Sequence, residues 1–449
     1  MKFTKMSLVA ALLIGSSAFA IENTKVSGDA KLFYSTSDNT YSTSTAGAKT
    51  ASDSLFGKGN AMGEAAISLG VTADLTKGIS AGFKGTAITT LGLYNNLVSS
   101  TWTGGTEDTY VVTDAWLAAT VGKTTGKIGR MSLDTPLVFT ETWSLVENTF
   151  EAAVLINQDI PDTTLVGAYV GQHDSAAVLG GGLSQGASPF SKANGSFYNG
   201  AYAVGVVNNS FKPLTVQGWY YGAQTNFNVG TFLTGTANAV KMSHVDAYWL
   251  QADFASKQIP GLLAGAQYTH FKGDLKNAVV NDVSNSAYAL MLGYEMKDVA
   301  TVKVSYSDVS KTSGVQGVEV GAGFNLATVA DNAGVARHAQ SKLYTEAWWN
   351  YGYVTKADTS AWNITATGKV ASIDLGAYYT STNSSKNNTA TQRADMDELT
   401  LTAGKTVGPL DATLAYVYTK ADDQNDKTAN GIADGQAYNA IQAYLTLNF

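Results

Sequence analysis

Apolar residues alternate with polar or very small residues in block after block of this chain. Between positions 25 and 34, even-numbered residues are apolar or small, whereas odd-numbered ones include Lys, Ser and Asp. Successive side chains of a strand point to opposite faces, so this period of two predicts strands with one apolar and one polar face. The same alternation recurs at 64–71, 301–306, 372–379 and 440–449.

The connections between the predicted strands are alternately short and long. Short ones are expected near 73–78, 122–124, 159–163, 208–212, 256–260, 296–299, 371 and 406–409, and long ones near 35–61, 90–108, 132–148, 172–198, 224–243, 272–285, 309–360, 382–396 and 420–436. An even number of strands brings both termini to one side, as in single-chain outer-membrane barrels. The predicted fold class is all-β: a transmembrane antiparallel β-barrel of about 18 strands, with short periplasmic turns and long extracellular loops.

The stretch 309–360 leaves the number of strands open. It contains two strand-like pieces, at 318–324 and 343–353, and the barrel would have two more strands if both crossed the membrane. No short polar turn separates either piece from a neighbour, so the stretch is interpreted as one long loop. A loop of this length is expected to fold against or into the barrel.

The first twenty residues have the three parts of a secretory signal peptide. Lys2 and Lys5 precede a short apolar core, and Ala18 and Ala20 are the small residues that precede cleavage. The apolar core is too short to span a membrane. We therefore predict a cleaved signal peptide at 1–20 and a single barrel at 21–449, which is exported through the periplasm to the outer membrane.

Composition narrows the function classes. Only 14% of the 449 residues are charged, the net charge is −7, and Cys is absent. The negative charge argues against nucleic-acid binding, and the absence of Cys excludes a disulfide scaffold and a Cys nucleophile. The polar surface is instead built from Ser, Thr, Asn, Gly and Tyr.

Charged residues of the strands share the polar face, which indicates that this face meets water. A Lys or Arg on the lipid face at mid-bilayer would cost about 2–4 kcal/mol. The alternation assigns to the lumen Lys31, Lys84, Lys127, Lys303, Lys369, Asp374 and Glu398, together with Asp29, Glu64 and Glu295.

The C-terminal block ends in an aromatic residue with apolar residues at alternate positions before it. Its members are Ile441, Leu445, Leu447 and Phe449. This pattern resembles the signal that the outer-membrane barrel assembly machinery reads.

The stretch 126–160 resembles OprD-type porins and the related major outer membrane proteins of Campylobacter. The matching motifs are Gly129-Arg130, Leu133-Asp134-Thr135-Pro136 and Asn148-Thr149-Phe150. The resemblance implies an eighteen-stranded barrel, commonly a homotrimer, that passes ions and small solutes. Some OprD-type channels draw carboxylate substrates through a ladder of basic residues, whereas only scattered Lys and Arg are found here.

The loop 132–148 is the third long one, which in porins commonly folds into the barrel and narrows it. Acids and bases opposed across a narrow gap set ion preference. The predicted pore constriction consists of Arg130, Asp134, Glu141, Glu147 and Glu151. Clustered carboxylates also suit Ca²⁺, so a bound calcium ion is an alternative for this loop, although no cofactor is required.

The sequence thus predicts a Gram-negative porin for passive diffusion of ions and small hydrophilic solutes, mildly cation-preferring and without catalytic residues. Two alternatives are kept: a barrel enzyme, either protease or lipase, and a secreted surface-structural β-protein. The pattern G-x-S-x-G at 182–186 lies in a Gly/Ser-rich loop and lacks the strand–turn–helix context of a nucleophile elbow. The expected partners are outer-membrane lipid and lipopolysaccharide, the assembly machinery and two further copies of the chain.

Overall fold

The computed structural model describes thirteen stretches of the chain. They are 22–38, 54–99, 101, 108–142, 145–173, 200–228, 241–256, 258–276, 282–314, 320–328, 340–384, 395–422 and 437–449. The predicted signal peptide and the motif at 182–186 lie outside the described residues.

Eighteen strands run through the described residues, as the alternation predicts. They are β1 (Glu22–Ser37), β2 (Ala61–Thr76), β3 (Ile79–Thr89), β4 (Asp108–Val121), β5 (Thr124–Met131), β6 (Phe150–Asn157), β7 (Thr163–His173), β8 (Ala201–Asn208), β9 (Leu214–Asn228), β10 (Lys241–Ala255), β11 (Leu262–Lys276), β12 (Asp282–Met296), β13 (Ala300–Val309), β14 (Thr359–Val370), β15 (Ile373–Ser384), β16 (Met396–Val407), β17 (Leu410–Ala421) and β18 (Ala437–Asn448). Short 3₁₀ helices lie at Lys58–Asn60, Leu326–Thr328 and Tyr351–Tyr353.

Each strand pairs antiparallel with its neighbours in sequence, and β1 also pairs with β18, so the sheet closes on itself. The closing register runs from Asp29 opposite Asn448 to Ser37 opposite Ala440. Closure leaves no strand edge unpaired, which is the condition for a sheet to cross the apolar part of a bilayer. The predicted antiparallel eighteen-stranded barrel is confirmed.

The outer face of the barrel is apolar, whereas the inner face mixes polar side chains with small, aromatic and other apolar ones. On β12, Leu290 and Leu292 point outwards and are more than half exposed, whereas the alternate residues Asn285 and Ala289 are buried inside. This belt of exposed apolar side chains is the surface that lipid covers in an outer-membrane barrel. Its other members include Ile67, Phe83, Leu117, Ile128, Leu155, Val204, Leu250, Ile364, Leu401 and Leu414.

Aromatic side chains form rows on this outer face. Tyr288 and Tyr294, at the two ends of the apolar segment of β12, are 44% and 48% exposed. Towards the long-loop end, the Tyr202 and Tyr220 rings are 6.0 Å apart and those of Tyr306 and Trp362 are 4.7 Å apart. Such rows mark the membrane interfaces of transmembrane barrels.

Two features of the connections differ from, or go beyond, the sequence analysis. The connection expected at 272–285 is short, since β11 continues to Lys276 and β12 begins at Asp282. The described residues between β13 and β14 contribute no strand to the barrel, so 320–324, which is the described part of the first strand-like piece, and 343–353 belong to one loop. Among the described residues, no helix is long and apolar enough to cross a membrane.

Candidate pore

The third long loop, which joins β5 to β6, is held in shape by hydrogen bonds between its own residues. The hydroxyl of Thr135 donates to the carbonyl oxygen of Val138 at 2.7 Å, and the amide of Thr140 donates to the carbonyl oxygen of Leu133 at 2.7 Å. The Asn148 side chain accepts from the amide of Glu141 at 2.6 Å. The loop therefore brings a buried hairpin-like turn against the inner wall.

The described part of the connection from β13 to β14 crosses the inside of the barrel. At one side, the Gln267 side chain on β11 accepts from the amide of Tyr344 at 3.0 Å and donates to the carbonyl oxygen of Lys342 at 2.8 Å. In the middle, the hydroxyls of Ser307 and Thr345 are 2.6 Å apart. We call residues 340–358 the inner strap.

The far side of the inner strap is fastened to Glu398 on β16. Its carboxylate accepts from the amides of Trp349 and Asn350 at 3.0 and 2.7 Å, and from the Asn350 side chain at 2.8 Å. Asn350 also donates to the hydroxyl of Thr419 on β17 at 2.9 Å. Glu398 therefore faces the lumen and holds the strap against the wall opposite β11.

Asn325 joins the two loops. Its side-chain nitrogen donates to the carbonyl oxygen of Phe139 at 2.9 Å and to the carboxylate of Glu141 at 3.2 Å, while its oxygen accepts from the amide of Phe139 at 3.3 Å. Asn325 is completely buried. A buried amide that uses both donors and its acceptor in this way fixes the two segments in one relative position.

The structure divides the five residues of the predicted constriction among four places. Glu141 is buried between the two loops, beside Asn325. Asp134 forms an ion pair with Lys342 of the inner strap. Glu147 lies 3.4 Å from Lys31 on β1.

Arg130 and Glu151 lie elsewhere, on the wall itself. They form an ion pair of 2.6 Å between neighbouring strands. They alternate in phase with Ile128 and Leu155, which are 62% and 54% exposed on the outer face. The structure therefore places this pair on the outer face and does not bring it together with the loop carboxylates.

The inner face carries all the other charges that the alternation assigns to the lumen. Lys84 pairs with Asp29 at 3.4 Å, and Lys369 pairs with Asp374 at 3.2 Å near the short-turn end. The Nζ atom of Lys127 lies over the Trp116 ring, 4.2 Å from its centroid. Lys303 alternates in phase with the buried residues Ser305 and Ser307, and Glu64 and Glu295 also belong to the inner face.

Two adjacent cavities occupy the lumen between the inner strap and the short-turn end. The one beside the strap has a volume of about 520 Å³ and the next about 710 Å³. Both are lined by Trp348, Tyr378 and Thr413, so these three residues mark their junction. Lys369 and Asp374 line the second cavity. The inside of this barrel is therefore incompletely filled and lined by both polar and apolar side chains, unlike the packed interior of a small soluble barrel.

The described residues contain no group of three or more His, Asp or Glu side chains arranged to hold a metal ion. The carboxylates of the third loop instead contact cationic or amide groups, as given above.

Comparison with protein families and with curated proteins finds no match. Solved structures match over almost the whole chain. OccK8 (OprE) of Pseudomonas aeruginosa has a TM-score of 0.65 at 15% identity, with 96% of this chain and 99% of that chain covered. OccAB1 and OccAB3 of Acinetobacter baumannii both have TM-scores of 0.65, at 14% and 12% identity; each covers 95% of this chain, and the match spans 97% and 100% of their own chains.

The chain has the fold of the OprD-type porins. In this barrel, most of the inner basic residues described have acidic neighbours: Lys31 with Glu147, Lys84 with Asp29, Lys342 with Asp134 and Lys369 with Asp374. This arrangement of lysines paired with carboxylates differs from the ladder of basic residues that the resemblance to OprD-type channels implies.

The Gly-Arg motif on β5 has a steric cause. Gly129 has φ +126°, and a Cβ there would lie 2.2 Å from the carbonyl oxygen of Ala115. We expect Gly129→Ala to lower the free energy of unfolding by several kcal/mol, because both the backbone angle and the space require glycine. The loss is measured as a lower temperature at which the refolded barrel shifts to the gel mobility of the unfolded chain. Gly122→Ala is the control, since its φ is also positive but a Cβ there contacts nothing; equal losses in the two variants would contradict the steric cause.

The sequence analysis correctly expected the loop 309–360 to fold against or into the barrel, but it assigned none of the residues of the inner strap to the site. Its residues Tyr344, Glu346, Trp348, Trp349 and Asn350 lie in a loop whose function could not be assigned from alternation. The signal was its composition: 343–353 is rich in aromatic residues, which an exposed loop seldom needs.

Proposed function

We propose that the chain is an outer-membrane porin through which ions and small hydrophilic solutes diffuse passively. The observation that carries this proposal is the pair of adjacent cavities, both with charged and hydroxyl groups in their lining, inside a closed barrel with an apolar outer belt. By the general arrangement of such barrels, the short turns lie in the periplasm and the long loops outside. Passive diffusion requires no catalytic residue and no cofactor.

Two inward loops form the constriction in this proposal. The third loop supplies Asp134, Glu141 and Glu147, and the inner strap supplies Lys342 and Glu346. This differs from the constriction expected from sequence, since Arg130 and Glu151 do not contribute to it.

We infer a mild preference for cations from the balance of inner charges. Among the described residues, the basic side chains of the inner face and the two loops include Lys31, Lys84, Lys127, Lys303, Lys342, Lys356 and Lys369. The acidic ones include Asp29, Glu64, Asp114, Asp134, Glu141, Glu147, Asp253, Glu295, Asp374 and Glu398, whereas the raised pKa of Glu346 leaves that carboxyl neutral at pH 7. An excess of fixed negative charge raises the local concentration of cations.

The partners proposed for this function follow from the outer surface. The apolar belt and the aromatic rows would contact lipid and lipopolysaccharide. Leu445, Leu447 and Phe449 on and after β18 are exposed outwards, where the assembly machinery would meet them. A homotrimer remains part of the proposal.

The experiment is conductance of the refolded mature chain in a planar bilayer under a KCl gradient. Stepwise currents in multiples of three support a trimer of open pores, and a reversal potential of the sign expected for K⁺ supports the cation preference. A barrel that inserts but passes no current contradicts the porin proposal and turns attention to an enzymatic role.

The pH dependence of ion preference tests the inner strap. Burial raises the pKa of Glu346 to about 8, and nearby Glu141 adds to the rise, whereas the amide of Ser341 and Lys342 oppose it. The carboxyl is enclosed by protein although part of the residue opens on the first cavity. Raising the pH through about 8 therefore adds a negative charge there.

We expect the cation preference to increase between pH 6.5 and pH 9, read from the reversal potential. Glu346→Gln should abolish the increase, and an unchanged increase in that variant would contradict the assignment. Protonation of Glu346 also makes the free energy of unfolding depend on pH. Because the pKa of Glu346 is raised in the folded barrel, its contribution to stability is complete below the ordinary carboxyl pKa and is lost as the pH rises through about 8.

A further inference from the structure

One wall of the 520 Å³ cavity is aromatic. Six aromatic side chains line it: Phe33, Tyr344, Trp348, Trp349, Tyr378 and Tyr444. The Trp348 and Tyr378 rings have centroids 5.1 Å apart and planes inclined by 39°, and they lie at the junction with the second cavity. A solute that moves from one cavity to the other therefore passes this pair.

Trp348 is held in place before any solute arrives. Its indole nitrogen donates to the side chain of Gln442 on β18 at 3.3 Å, and the next two residues are fastened to Glu398. Tyr378 projects from β15, a strand of the wall. A preorganised ring surface binds a ligand without the cost of ordering the side chains.

The remaining lining combines aliphatic residues (Leu32, Leu145, Ala347 and Leu445) with polar residues that are mostly uncharged. It includes the hydroxyls and amides of Thr142, Gln340, Asn363, Thr365, Thr413 and Thr446. Lys31 is the one ammonium group in this lining, and it lies 3.4 Å from Glu147. Glu346 is the one carboxyl group of the lining, and at neutral pH its raised pKa keeps it protonated. This lining does not offer an unpaired cation to a carboxylate solute.

We propose that this cavity binds saccharides, with Trp348 and Tyr378 stacking on the apolar face of a sugar ring and the surrounding hydroxyls and amides bonding to its edge. The proposal rests on the proposed porin function and names the solute class of the pore. A sugar ring has C–H groups on its faces and hydroxyls on its rim, so an aromatic plane bordered by neutral hydrogen-bonding groups complements it. The cavity volume is within the roughly 300–1,000 Å³ of small-ligand sites.

The test is the interruption of ion current by maltotriose in single refolded channels. We expect maltotriose to block the current at saturating concentration, while sorbitol, which has the hydroxyls but no ring, and gluconate, which carries a carboxylate, do not block it. Trp348→Ala should raise the half-blocking concentration of maltotriose about tenfold, as should Tyr378→Ala, which leaves the strap itself unchanged. Trp362→Ala is the matched control, because Trp362 lies on the outer face.

Calorimetric titration of the detergent-solubilised protein with maltotriose separates this proposal from the porin proposal. Binding that Trp348→Ala and Tyr378→Ala weaken, in a barrel that does not conduct, would support the saccharide site and contradict the porin. A conducting barrel in which neither variant changes block or binding by more than twofold would overturn the saccharide site and leave the porin standing. Block by gluconate and not by maltotriose would overturn it as well.

Discussion

Asn325→Ala is expected to loosen both inward loops and to widen the pore. The substitution removes the bonds that Asn325 makes with Phe139 and Glu141, and all of these groups are fully buried or nearly so. Each buried polar group left without a partner costs about 1–3 kcal/mol. We expect the barrel to unfold at a lower temperature and single channels to show a larger conductance with frequent brief transitions.

The control for this prediction is Asn448→Ala, which removes an exposed hydrogen bond of 3.0 Å to Asp411 at the short-turn end. Its conductance and unfolding temperature should match those of the unchanged chain. If Asn325→Ala keeps the conductance and its noise unchanged, the two loops do not narrow the pore together, and the constriction must be sought elsewhere along the lumen.

Leu292→Arg is expected to lower the free energy of unfolding from lipid by about 2–4 kcal/mol. Leu292 is 61% exposed on the outer face, between the aromatic residues Tyr288 and Tyr294. A guanidinium at this position would lie among lipid chains, where water does not solvate it. Reversible urea unfolding of the barrel from lipid vesicles measures the loss.

Thr301→Arg provides the comparison on the neighbouring strand. Thr301 lines the 710 Å³ cavity and lies opposite Glu295 in the register of β12 and β13. An arginine there meets water and a carboxylate, so we expect near-normal stability and a weaker preference for cations. Equal destabilisation by the two substitutions would contradict the assignment of inner and outer faces.

The strands could be predicted because the membrane and the water-filled lumen each restrict which residue type is tolerated at a single position. A charge at Lys84 or Lys303 is tolerated only on the inner face, and a leucine at 290 or 292 is favoured only on the outer one, so a period of two is visible in the sequence. The antiparallel order and the positions of most turns follow from that period together with the alternating lengths of the connections, whereas the sequence left the number of strands open at 309–360. The connection at 277–281 was misjudged because polar residues such as Lys272 and Asp282 continue the strands beyond the apolar belt, where alternation no longer distinguishes a strand from a loop.

The inside of the barrel was less accessible to such reasoning. The third loop was recognised by resemblance, yet Arg130 and Glu151 are turned outwards by their phase with Ile128 and Leu155, which a motif does not reveal. The inner strap depends on contacts between residues far apart in the chain, such as Gln267 with Tyr344 and Glu398 with Asn350.

Local alternation was thus enough to predict the barrel, because the lipid on one face and the water on the other each select the residue type at single strand positions. The pore depends on which long loop enters the lumen and where its carboxylates find partners. Those outcomes arise from hydrogen bonds and ion pairs between distant segments, and they exist only once the barrel has closed and brought the segments together.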